Sequence, residues 1–252
     1  MKKRNFERVG EIHKNKYGNE FIIIKYNHVN DITVEFNNGY IKEHVQYSNI
    51  KKGIVTSPYD KTVCNIGYVG EGNAPVTINN KASEPYTFWN NMIKRCYSKS
   101  INKYRPTYES KVVCEEWLNY NTFYKWYEDN YYTVNNEKMM LDKDILHKGN
   151  RIYSSDNCVF APQYINSLFT KCDKSRGKYL IGVSLIHGKF ISHISKNGKN
   201  NNLGEFKTEQ EAFERYKIEK EKFIKQKANE YKDYIPEKLY RAMYEYKVEP
   251  TD

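Results

Sequence analysis

Between Met139 and Phe169 the chain gathers side chains that move protons or offer oxygen acceptors. Asp142 and Asp144 flank Lys143, His147 follows in a polar stretch, and Asn157 and Asn166 stand nine residues apart. Carboxylates and amide oxygens accept hydrogen bonds, an imidazole exchanges protons near neutral pH, and an ammonium of ordinary pKa is a fixed positive charge. A second stretch, residues 176–199, sets Arg176, Lys178, Lys189, Lys196 and Lys199 among Ser184, Ser192 and His193. Clustered Lys and Arg release counterions from a phosphate backbone, so this stretch suits nucleic acid. Lys94, Arg95, Lys99, Lys103 and Arg105 form a third basic stretch, which fits phosphate tracking and an ordinary solvated surface equally well. The five cysteines form no CxxC pair, which argues for reduced thiols rather than a disulfide framework or a zinc finger. Gly67-Tyr68-Val69-Gly70-Glu71-Gly72 lacks a following Gly-Lys-Ser/Thr and a strand–helix context, so it is not a phosphate loop.

The elements that must position these groups are legible from pattern. Glu20–Tyr26, Asp31–Phe36 and Tyr40–Tyr47 are rich in β-branched and aromatic residues, and Asn37-Asn38-Gly39 makes a hairpin turn. Short strands with tight turns predict a small SH3-like barrel over residues 1–56. Residues 57–82, with scattered Gly, Pro and Asn, read as a linker. A helix is expected from Glu84 to Tyr97, capped by Ser83 with Pro85 in its first turn, and a second from Glu115 to Asn130. Asp142 ends a strand, Gly149-Asn150 lies in a loop, Cys158-Val159-Phe160 is a second strand, and Pro162 opens a helix carrying Asn166. Three further strands turn at His187-Gly188 and Asn197-Gly198, and Thr208 with Glu211 forms a capping box for a long helix. Pro236 starts a last short helix.

The run from Met139 to Asn166 resembles the HNH nuclease motif, a ββα fold that holds one divalent metal. The resemblance covers about thirty residues and makes Asp142 and Asn166 metal ligands and Asn157 the brace of the loop. Oxygen donors of this kind suit Mg²⁺ or Mn²⁺, which polarise a scissile phosphate. At the family's general-base position stands Lys143, which at an ordinary pKa takes no proton from water. The base role is left open between His147 and Asp144.

Residues 176–232 look like an AP2 domain, the integrase-like three-stranded DNA-binding domain. The matching motifs are Gly182-Val183, Gly188-Lys189-Phe190 and Leu203-Gly204 through Phe206, Thr208 and Glu211-Ala212. The resemblance implies a sheet that enters the major groove, with Arg176, Lys178, Ser184, Lys189, Ser192, His193, Lys196 and Lys199 facing DNA. Lys94 and Arg95 are added as phosphate contacts. In tandem, behind the Trp-x-x-Met-Ile-x-Arg-Cys-Tyr helix at 89–97, the two modules resemble mobile endonucleases of phages.

Composition bounds these readings. The chain has 252 residues, a formal net charge of +10 and 24 tyrosines among its 15% aromatics, so aromatic packing stands in for scarce aliphatics. Its mean hydropathy is −0.88. No apolar run reaches membrane-spanning length, and the N-terminus does not read as a secretory signal, so no membrane partner and a place in the cytoplasm of a bacterial host cell are expected. The expected architecture is α+β: a barrel at 1–56, a linker at 57–82, a helical and ββα domain at 83–170, an AP2-like domain at 171–234 and a tail at 235–252. The expected function is duplex-DNA binding of the HNH–AP2 type, with nicking that uses Mg²⁺ or Mn²⁺. The alternatives are a non-cleaving DNA-binding regulator, and a factor that binds a host protein through its N-terminal module and Tyr-rich surface.

Overall fold

The computed structural model describes residues 8–104, 110–170 and 178–250. Arg105, Cys172 and Arg176 lie outside the described residues. The chain is α+β and divides into two compact units, residues 1–129 and 130–252.

The first unit opens with an antiparallel sheet in the order β1 (Ile12–Lys14), β2 (Glu20–His28), β3 (Asp31–Phe36), β4 (Ile41–Val45). Period-two alternation puts Phe21, Ile23, Ile32, Val34 and Phe36 on one face, where they form a core with Val45, Ile50 and Val55. The turn at 37–39 has Gly39 at φ +83, with Gly39 donating to the Phe36 carbonyl. A short helix α1 (Tyr47–Lys51) follows β4. The expected barrel does not close: β1 pairs with β2 alone and β4 with β3 alone. With three residues in β1, the ladder needed for closure is missing.

Residues 57–82, expected as a linker, are folded. Asp60 is fully buried and accepts from Asn15 at 2.9 and 3.0 Å, from Asn19 at 2.5 Å and from the Ser57 amide at 3.0 Å. Tyr68 and Val69 exchange backbone hydrogen bonds with residues 118–121. A small hairpin, β5 (Thr77–Ile78) and β6 (Lys81–Ala82), leads into α2 (Glu84–Tyr97), which Ser83 caps through the Tyr86 amide. Trp89, Met92, Ile93 and Cys96 are its buried side. Next come α3 (Lys99–Tyr104), β7 (Val112–Val113) and α4 (Tyr120–Asn130). The single helix expected over 115–130 is broken: Glu115–Leu118 is a 3-10 turn, and Asn119 restarts the chain by accepting from the Asn121 amide at 2.9 Å. Trp89, Trp117, Tyr120 and Phe123 pack together, with the Trp89 indole donating to the Trp117 carbonyl at 2.7 Å.

The second unit holds β8 (Met139–Asp142), β9 (Ile152–Tyr153), β10 (Val159–Pro162) and α5 (Gln163–Leu168). β8 and β10 pair antiparallel, with Asp142 opposite Val159. A three-stranded antiparallel sheet follows: β11 (Val183–Ile186), β12 (Lys189–Lys196), β13 (Lys199–Phe206). Its turns have positive φ at His187, Gly188, Asn197 and Gly198, the two-residue type I′ geometry. The helix α6 (Glu209–Tyr231) begins with the full Thr208–Glu211 capping box, and α7 (Glu237–Tyr244) packs on it. α6 serves two cores. Ala212, Phe213 and Tyr216 pack against Val183 and Ile194 of the sheet. Ile224 and Ala228 pack with Val159, Ala161 and Ile165 of the ββα region and with Leu239 and Met243 of α7.

Candidate functional site

Asp142 sits at the end of β8, where the strand gives way to a loop reaching to β9. Its Oδ1 accepts from the amides of Asp144 (2.7 Å) and Ile145 (2.8 Å), an Asx turn that folds the loop back. Burial raises the Asp142 pKa above the ordinary carboxylate value, against the lowering effect of those two amides. Lys143 points inward and is 2% exposed. Its Nζ donates to both carboxylate oxygens of Asp144 at 2.7 Å and to the Asn150 carbonyl at 2.8 Å, and lies 5.6 Å from the Tyr153 ring centre. The residue at the base position is therefore a latch under the loop, and it commits the Asp144 carboxylate as well. His147 is exposed on the loop, and its carbonyl accepts from the Asn150 amide at 3.0 Å.

The brace of the loop is chiefly a residue the sequence reading did not single out. Asn150 donates to the carbonyls of Lys143 (2.9 Å) and Ile152 (2.7 Å) and accepts from the Ile152 amide (3.1 Å). Asn157 adds a longer bond, 3.4 Å, to the same Ile152 carbonyl. The signal for Asn150 was present in Gly149-Asn150, since Asn side chains satisfy loop backbone groups where no ladder does. Asn166 lies on α5, which packs against β8 and β10, and its Oδ1 is buried with no hydrogen-bond partner among the described residues.

An orphaned amide oxygen and a half-buried carboxylate are oxygen donors of the kind a hard cation takes. Mg²⁺ commonly takes one or two protein oxygens and completes its shell with water and phosphate, and Asp142 and Asn166 offer one each. Among the described residues no group of three or more His, Cys, Asp or Glu is placed to hold a metal.

The sheet β11–β13 separates its candidate residues by face. Phe190 and Ile194 belong to the core beneath α6, Ser192 is fully buried, and Lys196 pairs with Glu219 of α6. Alternation then puts Lys189, Ile191, His193 and Ser195 on the opposite, open face. Ser184 faces out with Ile191, and Asn202 and Asn200 face out beside His193 and Ser195. Lys199 is opposite Lys196 and shares its side. Of the residues expected to face DNA, Ser184, Lys189 and His193 lie on the open face, whereas Ser192, Lys196 and Lys199 do not. Adjacent strand residues cannot share a face, so Ser192 and His193 were never both available. Lys178 is exposed beside the Tyr179 ring, before β11. Asn200 and Asn202 were missed; the Asn200-Asn201-Asn202 run was their signal, but their face depends on the bulge at Leu203.

The open face is polar more than cationic. Lys189 pairs with Glu205 at 2.6 Å, a bond between two exposed groups. In the first unit, Lys94 is exposed and Arg95 half-buried on α2. Among the described residues no helix is long and apolar enough to cross a membrane. No protein-family model, no curated protein and no solved structure matches the chain.

Proposed function

We propose that this chain binds duplex DNA in the manner of HNH–AP2 proteins, with the β11–β13 sheet and α6 as an AP2-like reader and the ββα region as a cation-holding companion. The observation that carries this reading is the open face of the sheet. Ser184, Lys189, His193, Ser195, Asn200 and Asn202 stand there side by side, opposite the helix-covered face. Asn and Ser read base edges in a major groove, His adds a further hydrogen-bonding group, and the net charge of +10 favours the phosphates around them.

In the ββα region a divalent ion bound by Asp142 and Asn166 would supply charge stabilisation at a scissile phosphate. The chain's own residues do the rest. Asp142 holds the loop turn, Asn150 and Asn157 fix the loop against Ile152, and Lys143 anchors it from below. The exposed His147 adds an imidazole open to solvent.

A second reading, a DNA-binding regulator that does not cut, is favoured by one observation. The position that should hold the base is a buried ammonium tied to Asp144.

Two assays test these readings. Duplex affinity is measured against salt concentration for the wild type and for His193→Ala with Asn202→Ala. Binding that weakens steeply with salt, with a loss of sequence preference in the variant, supports the DNA reading, and no binding at low salt removes it. Supercoiled plasmid is then incubated with Mg²⁺ or Mn²⁺. Nicking that disappears in Asp142→Ala while affinity is retained supports the catalytic form, and intact plasmid supports the regulator.

A further inference from the structure

The C-terminal residues 246–249 touch both halves of the second unit. Tyr246 packs edge-on against Phe169, just past α5, at 4.9 Å between ring centres. Val248 is 2% exposed within the core of the sheet and α6, and its amide donates to Glu221 of α6 at 3.0 Å. Lys247 adds an ion pair to Glu221 at 3.5 Å. From the other side, Lys148 of the β8–β9 loop donates to the Lys247 carbonyl at 3.0 Å, pairs with Glu249 at 3.3 Å and lies 5.0 Å from the Tyr246 ring centre. One short segment thus holds the loop that leads away from Asp142 and the helix that backs the β11–β13 sheet.

Tyr164 of α5 also reaches the sheet, donating to Asn197 in the β12–β13 turn at 2.7 Å. The described residues leave a cleft of about 750 Å³ between the end of α5 and the edge of β11 and β12. Among the described residues α6, about 35 Å long at 1.5 Å per residue, and residues 246–249 also link the halves. Ile145 packs the 143–150 loop into the core with Ile224 and Leu239, and Leu146 packs against it. Lys148 gives the loop a further attachment, to residues 246–249.

We infer that Tyr246–Glu249 is a strap that positions the 143–150 loop relative to the β11–β13 sheet, so that the second unit meets a duplex as one rigid head with a fixed offset between reading face and ββα site. The duplex part of this inference rests on the function proposed above; the strap itself does not. Lys148, Tyr246 and Val248 are positioning residues in this scheme. They touch no candidate cation ligand but hold the loop that begins at one.

Hydrogen exchange tests the strap without DNA. Two variants are compared with the full chain: one ending at Glu245, and Lys148→Gln with Glu249→Gln, which leaves the buried Val248 in place. Amides of residues 143–150 exchange about tenfold faster in both variants, while β12 stays protected in the double variant. Unchanged exchange in the loop overturns the strap. With DNA, an iron chelate tethered at Ser155→Cys cuts the duplex around its own position. Cuts confined to about one helical turn in the full chain and spread in the double variant support a fixed offset. An identical cut pattern in both overturns it. If the full chain binds no duplex, the DNA-binding function falls while the exchange result still decides the strap.

Discussion

At the scale of residues, Lys143 decides most about the ββα site. Its three hydrogen bonds and its burial make it part of the loop's framework. Replacing it with His shortens the side chain and removes the ion pair to Asp144 and the bond to the Asn150 carbonyl. Lys143→His therefore lowers stability by about 2 kcal/mol, read as a shift in the urea midpoint, because charged hydrogen bonds to a buried group are lost. It does not raise any nicking rate, since an imidazole in that pocket sits beneath the loop rather than at its surface. A variant that keeps its stability and gains activity contradicts this placement. The sequence exposed the odd residue at the base position, but the direction of its side chain depends on Asn150 and Tyr153, which only the folded loop brings near it.

At the scale of elements, the second unit shows what local chemistry dictates and what it leaves to packing. Caps and turns were legible: Ser83, Thr208 with Glu211, His187-Gly188 and Asn197-Gly198 all act through neighbours within a few residues. The face of each strand was not, because it depends on the Leu203 bulge and on which side α6 covers. Gly182 shows the same dependence. It has φ +75, and a Cβ there would lie 2.1 Å from the Tyr216 ring. Gly182→Ala is expected to cost about 3 kcal/mol from the clash with α6. Adding Tyr216→Ala removes the clash and recovers part of the loss, so a double variant less stable than either single one contradicts the contact. The Lys196–Glu219 pair between sheet and helix makes a pH-dependent contribution. The hydrogen bond from Lys196 holds Glu219 below its ordinary value of 4.5. A depressed carboxyl pKa stabilises the fold above 4.5, and that contribution is lost as pH falls through the lowered folded value. Lys196→Met should thus be less stable than the wild type by about 1 kcal/mol at pH 7. The gap should narrow below pH 4.5, and a gap independent of pH contradicts the assignment.

At the scale of the whole molecule, the order of patterned strands and helices foretold an α+β chain, but the division of the chain follows buried polar and apolar contacts that the pattern does not reveal. Residues 57–82 looked like a linker because Gly, Pro and Asn are common there. The same residues make tight turns inside a folded unit, with Gly70 at φ +76 against the Asn119 side chain. Asp60 shows the consequence. Its carboxylate is fully buried and takes three of its four hydrogen bonds from Asn15 and Asn19. A fragment beginning at residue 57 keeps only the Ser57 amide and leaves a buried carboxylate largely unmatched, a loss of about 3 kcal/mol or more. Two core clusters of the second unit are built, among the described residues, from positions between 132 and 248. The fragment 57–252 is therefore expected to lose the cooperative transition of its first unit, whatever the second unit does. Tryptophan separates the two, because Trp89, Trp117 and Trp126 all lie before residue 130. In the full chain their emission reports the first unit, and in 57–252 it should be red-shifted already without denaturant. A native-like blue emission from 57–252 with a sharp urea transition would show that Asp60 does not tie the N-terminal sheet to the rest of its unit.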